Sequence, residues 1–265
     1  MSNTQERTIR VFRDQISLRV HIAGSGPPLV FLHGADGLSW DTFLDRLSER
    51  FTVYAPEHPG TSPGDPDAVR SLDGLWDLVL SYYDLFDGLG LHAPAVVGTS
   101  FGAMVAAELA ATSPERVSRL VLMDPIGLWR DDAPVKNWMA IPPDELRKAL
   151  LSRPEGPVAE RLFPPMTDPA AFQAKLIKRT WALACTGKFI WPIPDKGLKK
   201  RLYRVTAKTL VLWGKEDGIA PPVYAEEFRK RLRDARVELV AGAAHLPHLE
   251  QPDQVLGLVT SFLLP

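Results

Sequence analysis

The sequence predicts an α/β core: a mostly parallel, eight-stranded sheet with helices on both faces. Three observations carry this expectation. Short apolar runs rich in Val, Leu and Ile recur along the chain, continuous rather than alternating, as strands buried on both faces require. Longer helical patterns lie between them, and strand alternating with helix implies parallel strands joined by crossovers. One long stretch without any such run interrupts the rhythm after the sixth strand and is followed at once by more strand and helix.

The elements follow in order. Thr8 to Ile22 reads as an antiparallel hairpin entering the sheet. The buried strands are expected at Leu29–Leu32, Thr52–Ala55, Ala95–Val97, Leu120–Met123, Leu210–Trp213 and Val237–Val240. Helices are expected at Ser39–Arg50, Leu72–Leu89, Phe101–Thr112, Val223–Leu232 and Pro252–Leu263. The interrupting stretch, Leu128 to about Arg204, holds Trp129, Trp138, Trp181 and Trp191, and its prolines divide it into short helices. One of these is Ala170–Ala184, with Phe172, Leu176, Ile177, Trp181 and Ala184 on one side and Lys175, Lys178 and Arg179 towards the other. The expected organisation is a core of residues 1–127 and 205–265, with 128–204 as a helical lid inserted between two strands.

Composition narrows the function. A net charge of −1 argues against a nucleic-acid binder. No apolar stretch approaches the length of a membrane span, and Met1 to Arg10 lacks the apolar core of a secretory signal. A single cysteine, Cys185, excludes a disulfide within the chain and argues against a cysteine metal site. A cytoplasmic location is the expectation, with a homodimer left open.

The sharpest signal is Gly98-Thr-Ser100-Phe-Gly102. An apolar strand runs into it and the small-residue helix Ala103 to Ala111 runs out. This is the strand–turn–helix setting in which G-x-S-x-G presents a nucleophilic serine. The turn is tight enough to strain the apex residue and project its side chain clear of the sheet. A serine hydroxyl needs a base. Of the six histidines, His245 lies just past the last apolar strand, at the carboxyl end of the sheet, and follows the serine in chain order. His248 is the runner-up. The base needs an acid to hold its tautomer. Asp217 follows the strand Leu210–Trp213, Asp124 ends the strand Leu120–Met123 and is the competitor, and Glu216 is expected to point outward. An oxyanion needs two N–H donors. Phe101 supplies one, and Ala35, in the loop His33-Gly-Ala-Asp-Gly37, supplies the second.

On these residues the chain resembles the α/β-hydrolase superfamily, in its lidded, esterase-like branch. The resemblance spans about Thr8 to Leu264. It rests on His33-Gly34, Gly98 to Gly102, Leu212-Trp-Gly-Lys-Glu-Asp217 and Ala244-His-Leu-Pro-His-Leu-Glu-Gln-Pro252. It implies the α/β-hydrolase fold and a cofactor-independent serine hydrolase. The sequence also departs from the family. Members often carry a D-x-x-G-x-G-x-S loop after the fourth strand, where this chain reads Glu57-His-Pro-Gly-Thr-Ser-Pro63. Dehalogenases and epoxide hydrolases of this fold place Asp where Ser100 stands. Carbon–carbon hydrolases typically show Ser-Gly-Pro-Gly after His-Gly and Trp after the catalytic His, where this chain has Ala35-Asp36-Gly37 and Leu246.

The expected activity is hydrolysis of small apolar or aromatic esters or lactones. Trp129, Trp138, Phe163, Met166, Trp181 and Trp191, with Phe172 and Phe189, are the expected pocket. The rival readings are carbon–carbon hydrolysis of vinylogous diketones, and a ligand-binding receptor with negligible turnover. The basic cluster Lys196, Lys199, Lys200, Arg201 and Arg204 is expected to be a solvated face.

Overall fold

In the computed structural model, residues 4–61, 65–163, 167, 169–191 and 195–264 are described. Among them, eight strands form one sheet: β1 Gln5–Val11, β2 Ile16–Ala23, β3 Pro28–Leu32, β4 Thr52–Pro56, β5 Ala95–Thr99, β6 Arg119–Met123, β7 Lys208–Gly214 and β8 Ala235–Val240. Their order is β1-β2-β4-β3-β5-β6-β7-β8. Only β1–β2 and β2–β4 pair antiparallel; every other neighbouring pair is parallel. The hairpin turn between β1 and β2 carries Phe12, Arg13 and Asp14 at positive φ.

The central strands are buried on both faces, which is why they read as unbroken apolar runs. Their side chains still divide with period two. Val30, Leu32, Val96, Leu120, Leu122, Val211 and Trp213 join one core, and Leu29, Phe31, Val97, Val121, Met123, Leu210 and Leu212 join the other. Helices α1 Thr42–Ser48 and, near the C-terminus, Pro252–Leu263 cover the second face. Helices α2 Leu75–Gly88 and α3 Phe101–Thr112, with Val223–Arg231, cover the first. Between Gly102 and Ala111, α3 is buried along its whole length, because alanine lets the helix lie close on the sheet. Helix α1 is shorter than the expected Ser39–Arg50. Asp41 caps it, accepting from the N–H of Phe43 at 2.9 Å and of Leu44 at 3.1 Å, so the helix starts at Thr42.

Between β6 and β7 lie α4 Pro143–Leu150, α5 Pro157–Leu162 and α6 Pro169–Ile190, followed by 3₁₀ turns at Leu198–Lys200 and Leu202–Arg204. Each of α4, α5 and α6 begins on a proline, whose missing N–H costs nothing at a helix start. After β7 come α7 Val223–Arg231, β8, the short α8 Pro247–Glu250 and α9 Pro252–Leu263.

Helix α6 differs from its sequence reading. It runs past Ala184 to Ile190, and the side read as apolar is turned out: Leu176 is 50% exposed and Ile177 60%. The buried residues are instead Ala182, Cys185, Thr186, Phe189 and Ile190. The apolar residues of α6 are spread around its circumference, so periodicity alone does not choose a face, and packing does.

Candidate active site

β5 runs directly into α3, and Ser100 stands between them at φ 53° and ψ −115°. Such a backbone conformation is costly for a residue with a side chain and persists only where its surroundings hold it. Here Ser100 N–H donates to the Met123 carbonyl of β6 at 2.9 Å, and its own carbonyl accepts from Met104 N–H at 3.1 Å. The flanking glycines are sterically required. A Cβ on Gly98 would lie 2.6 Å from the Ala103 backbone, and one on Gly102 would overlap the carbonyls of Leu32 and His33.

His245 reaches the serine from the loop after β8. Its Nδ1–H donates to Asp217 Oδ2 at 2.8 Å, and its Nε2 accepts from the Ser100 hydroxyl at 2.8 Å. Asp217, past the end of β7, uses Oδ1 for its own loop, accepting from Ile219 N–H at 2.8 Å and Ala220 N–H at 3.0 Å. All three side chains are buried. The arrangement can move the Ser100 proton onto the imidazole, with the carboxylate stabilising the imidazolium. Glu216, by contrast, is exposed and accepts from Ala243 N–H at 3.0 Å. His248 is buried against Phe43, with ring centres 5.6 Å apart, and it is His245 that meets the Ser100 hydroxyl.

The histidine loop is anchored by residues to which the sequence reading assigns no role. Glu250 accepts from Ala244 N–H at 2.7 Å and, through its other oxygen, from Ser152 N–H at 2.9 Å and the Ser152 hydroxyl at 2.7 Å. His245 N–H donates to the Leu150 carbonyl at 3.1 Å, and Gly218 N–H to the Ala149 carbonyl at 3.0 Å. The end of α4 therefore braces both the His245 and the Asp217 loops. Glu250 lies inside the Ala244–Pro252 motif; Leu150 and Ser152 carry no sequence signal, because a backbone contact across distant chain leaves none.

Asp124 stands behind this relay at φ 45°, fully buried. Its Oδ1 accepts from Gly214 N–H at 2.8 Å, and its Oδ2 has no hydrogen-bond partner among the described residues. Donor atoms of Asp124, Asp217 and His245 lie within 4.8 Å of one another, the geometry a metal site would need. Burial, and then the Asp217 charge, push the Asp124 carboxyl well above the usual range. A neutral acid beside an ionised one is the state this crowding favours.

The loop 33–38 is held by two interlocked histidines. His33 Nδ1–H donates to the Gly34 carbonyl at 2.7 Å, and His33 Nε2 accepts from His58 N–H at 3.0 Å. His58 Nε2–H donates to the His33 carbonyl at 2.9 Å, and the Tyr82 hydroxyl donates to His58 Nδ1. Each ring is thereby fixed as one neutral tautomer. Burial lowers His58 to about 4 and holds His33 well below its usual value. The Ala35 carbonyl accepts from the Thr186 hydroxyl of α6 at 3.0 Å. With the Gly34 carbonyl drawn towards His33, the trans peptide turns Ala35 N–H the opposite way. Phe101 N–H belongs to the first turn of α3, where N–H groups lack helical partners.

Ser100, His245 and Ala35 open onto a cavity of about 770 Å³. Trp138 and Phe163 line it, as do Leu146, Leu150, Leu183 and Ile219. Trp129, Trp181 and Trp191 are not among its lining residues. Trp129 bonds Asp131, Trp181 donates to the Gly60 carbonyl at 2.7 Å, and Trp191 is exposed. Phe189 packs on Phe101, and Met166 lies outside the described residues. The cluster at 196–204 is largely engaged locally: Arg201 pairs with Glu108, Lys199 with Asp195, and Arg204 donates to the Ala111 carbonyl.

The chain belongs to the alpha/beta hydrolase family, whose model matches residues 29–258. It is similar to the pimeloyl-[acyl-carrier protein] methyl ester esterase of Nitrosomonas europaea, 28% identical over 91% of this chain and 97% of that one. It is also similar to the 2-hydroxy-6-oxo-6-phenylhexa-2,4-dienoate hydrolase of Burkholderia cepacia, 25% identical over 93% and 92%. Among solved structures, a serine hydrolase from the polyaromatic hydrocarbon-degrading Cycloclasticus zankles superposes with a TM-score of 0.77 at 20% identity, covering 98% of both chains. That last likeness is one of fold. The relatives thus include both esterases and carbon–carbon hydrolases. Among the described residues, no helix is long and apolar enough to cross a membrane.

Proposed function

We propose that this chain is a serine hydrolase that cleaves carboxylic esters, lactones included, through an acyl-enzyme intermediate. The observation that carries this reading is the relay from Asp217 through His245 to Ser100, with both hydrogen bonds at 2.8 Å, on a positive-φ turn. Ser100 Oγ attacks the ester carbonyl as its proton passes to His245 Nε2. The carbon–oxygen bond to the leaving alcohol breaks, and the alkoxide takes that proton. Water then gives a proton to His245 as it attacks the acyl group, releasing the acid and restoring the serine. The N–H groups of Ala35 and Phe101 stabilise the oxyanion in each half. The helical insert, 128–204, serves as a lid over the core of 1–127 and 205–265; its residues supply much of the cavity wall.

Carbon–carbon hydrolysis is the second reading, supported by the dienoate hydrolase relative. Leu246, directly after His245, counts against it. A panel of short-chain nitrophenyl esters and a dienoic 1,5-diketone separates the two. The expected result is ester turnover, abolished in Ser100→Ala, and rapid phosphonate labelling at Ser100. Diketone cleavage in preference to esters would replace the ester assignment. Tight ligand binding without labelling would point to a receptor.

A further inference from the structure

We propose that the insert helices form an anion-binding subsite in the wall of the Ser100 cavity, so that the ester cleaved carries an anionic group, such as a terminal carboxylate, on an apolar chain. This rests on the ester-hydrolase reading and adds the substrate class to it.

Arg161 at the end of α5, and Lys175, Lys178 and Arg179 on α6, line the same cavity as Ser100 and His245. The two helices are fastened there, with Lys175 Nζ donating to the Arg161 carbonyl at 2.9 Å. The Arg179 guanidinium lies 5.3 Å from the centre of the Phe163 ring, which positions it by a cation–π contact. None of the four cations forms an ion pair with a described carboxylate, although Lys199 and Arg201 further along the insert both do. Helix α6 thus lines the cavity with exposed Lys175 and Lys178 and half-buried Arg179, and leaves Leu176 and Ile177 outside it.

The carboxylates in the same wall do not balance this charge. Asp36, Asp41 and Asp45 line the cavity. Asp41 is committed to capping α1, and Asp45 accepts the Trp40 indole N–H at 2.9 Å. Three carboxylates thus stand against four cations, and Asp36 is the one whose charge acts on Lys175 and Arg179. Burial, and then crowding by Arg179 and Arg161, lowers the Lys175 pKa, and the Asp36 charge offsets only part of this, so the cations among themselves are short of negative charge. An entering anion relieves that shortage, and charge-assisted bonds to guanidinium and ammonium groups hold it. Trp138, Leu146, Leu150 and Leu183 supply an apolar wall in the same cavity, suited to the chain that joins the anion to the ester.

The test uses two monoesters of equal length, one chain ending in carboxylate and the other in methyl. Wild-type protein is expected to favour the carboxylate ester by about tenfold in kcat/KM, the scale of one charge-assisted contact. That preference should shrink with added salt, and should collapse in Lys178→Gln/Arg179→Gln but not in Lys199→Gln. A wild-type ratio near one, or a preference that survives the double substitution, overturns the subsite. If neither ester is turned over, the ester-hydrolase reading fails on its own. Calorimetry on Ser100→Ala then decides the subsite. Tighter binding of the ω-carboxylate chain than of its neutral amide sustains it, and equal or absent binding overturns it.

Discussion

The backbone N–H of His245 donates to the carbonyl of Leu150, 3.1 Å away at the end of α4. The imidazole that meets Ser100 is therefore held in place partly by the insert between β6 and β7. Ser152, two residues further on, binds Glu250, which in turn holds Ala244. The insert and the histidine loop form one hydrogen-bonded unit.

Glu250→Ala removes the acceptor for four donors at once: the N–H groups of Ser152, Arg153 and Ala244 and the Ser152 hydroxyl. The expected cost is about 2–3 kcal/mol of stability, from charge-assisted bonds lost at a partly buried site. It should also lower kcat more than it raises KM, because the His245 loop loosens. Glu250→Gln keeps one acceptor oxygen and should recover part of both. Denaturant titration and steady-state kinetics check this.

The two acids near His245 are expected to respond differently to the same substitution. Asp217→Asn removes the charge that holds the imidazole tautomer and should cut kcat by roughly 10²–10⁴-fold. Asp124→Asn should change activity by less than about threefold, because the native carboxyl is already driven neutral by burial and by Asp217. Asn also tolerates the positive φ at this position. Comparable losses in both variants would show that Asp124 is ionised.

Ser100→Gly should stabilise the fold while abolishing turnover. Glycine relieves the strain at φ 53° and ψ −115°, worth about 1–3 kcal/mol, less about 0.5–1 kcal/mol for the extra freedom of the unfolded chain. Ser100→Ala keeps the strain and should show no such gain. Thermal melts of the two variants side by side make the comparison.

Stability should fall on mild acidification. His58 and His248 are lowered by burial to about 4, and His33 is lowered as well. A histidine whose folded value lies below its unfolded value of about 6.5 takes up its proton first in the unfolded chain. Its contribution is complete above about 6.5 and is lost as pH falls towards 4. The raised Asp124 carboxyl has the opposite sign: its contribution is full below about 3.9 and is lost as pH rises through the folded value. Asp36, raised by burial as well, has the same sign as Asp124, and three histidines against two carboxyls should make denaturant midpoints lower at pH 5 than at pH 7.5. His248→Phe should flatten that slope, since His248 packs on Phe43 and its Nδ1 has no partner among the described residues.

The parts of this molecule that were legible in its sequence are local ones. The boundaries of α3 and α9 agree with their sequence reading because a strained serine turn and a proline start them. The eight strands were readable because burial on both faces requires unbroken apolar runs. Leu150 and Ser152 were not readable as supports of His245. They act through backbone or a single hydroxyl, across chain too distant to leave a pattern.

Sequence by itself determined that Ser100 occupies a turn only glycine neighbours permit, and that Asp217 and His245 follow it at strand ends of one sheet. It determined this because a tight turn and an apolar strand are constraints between adjacent residues. Which side of α6 meets the cavity was decided only by tertiary packing. The helix carries apolar residues all round, and the fit of Ala182, Cys185, Thr186 and Phe189 against the core outweighs exposure of Leu176 and Ile177. That choice places Lys175, Lys178 and Arg179 in the wall of the Ser100 cavity.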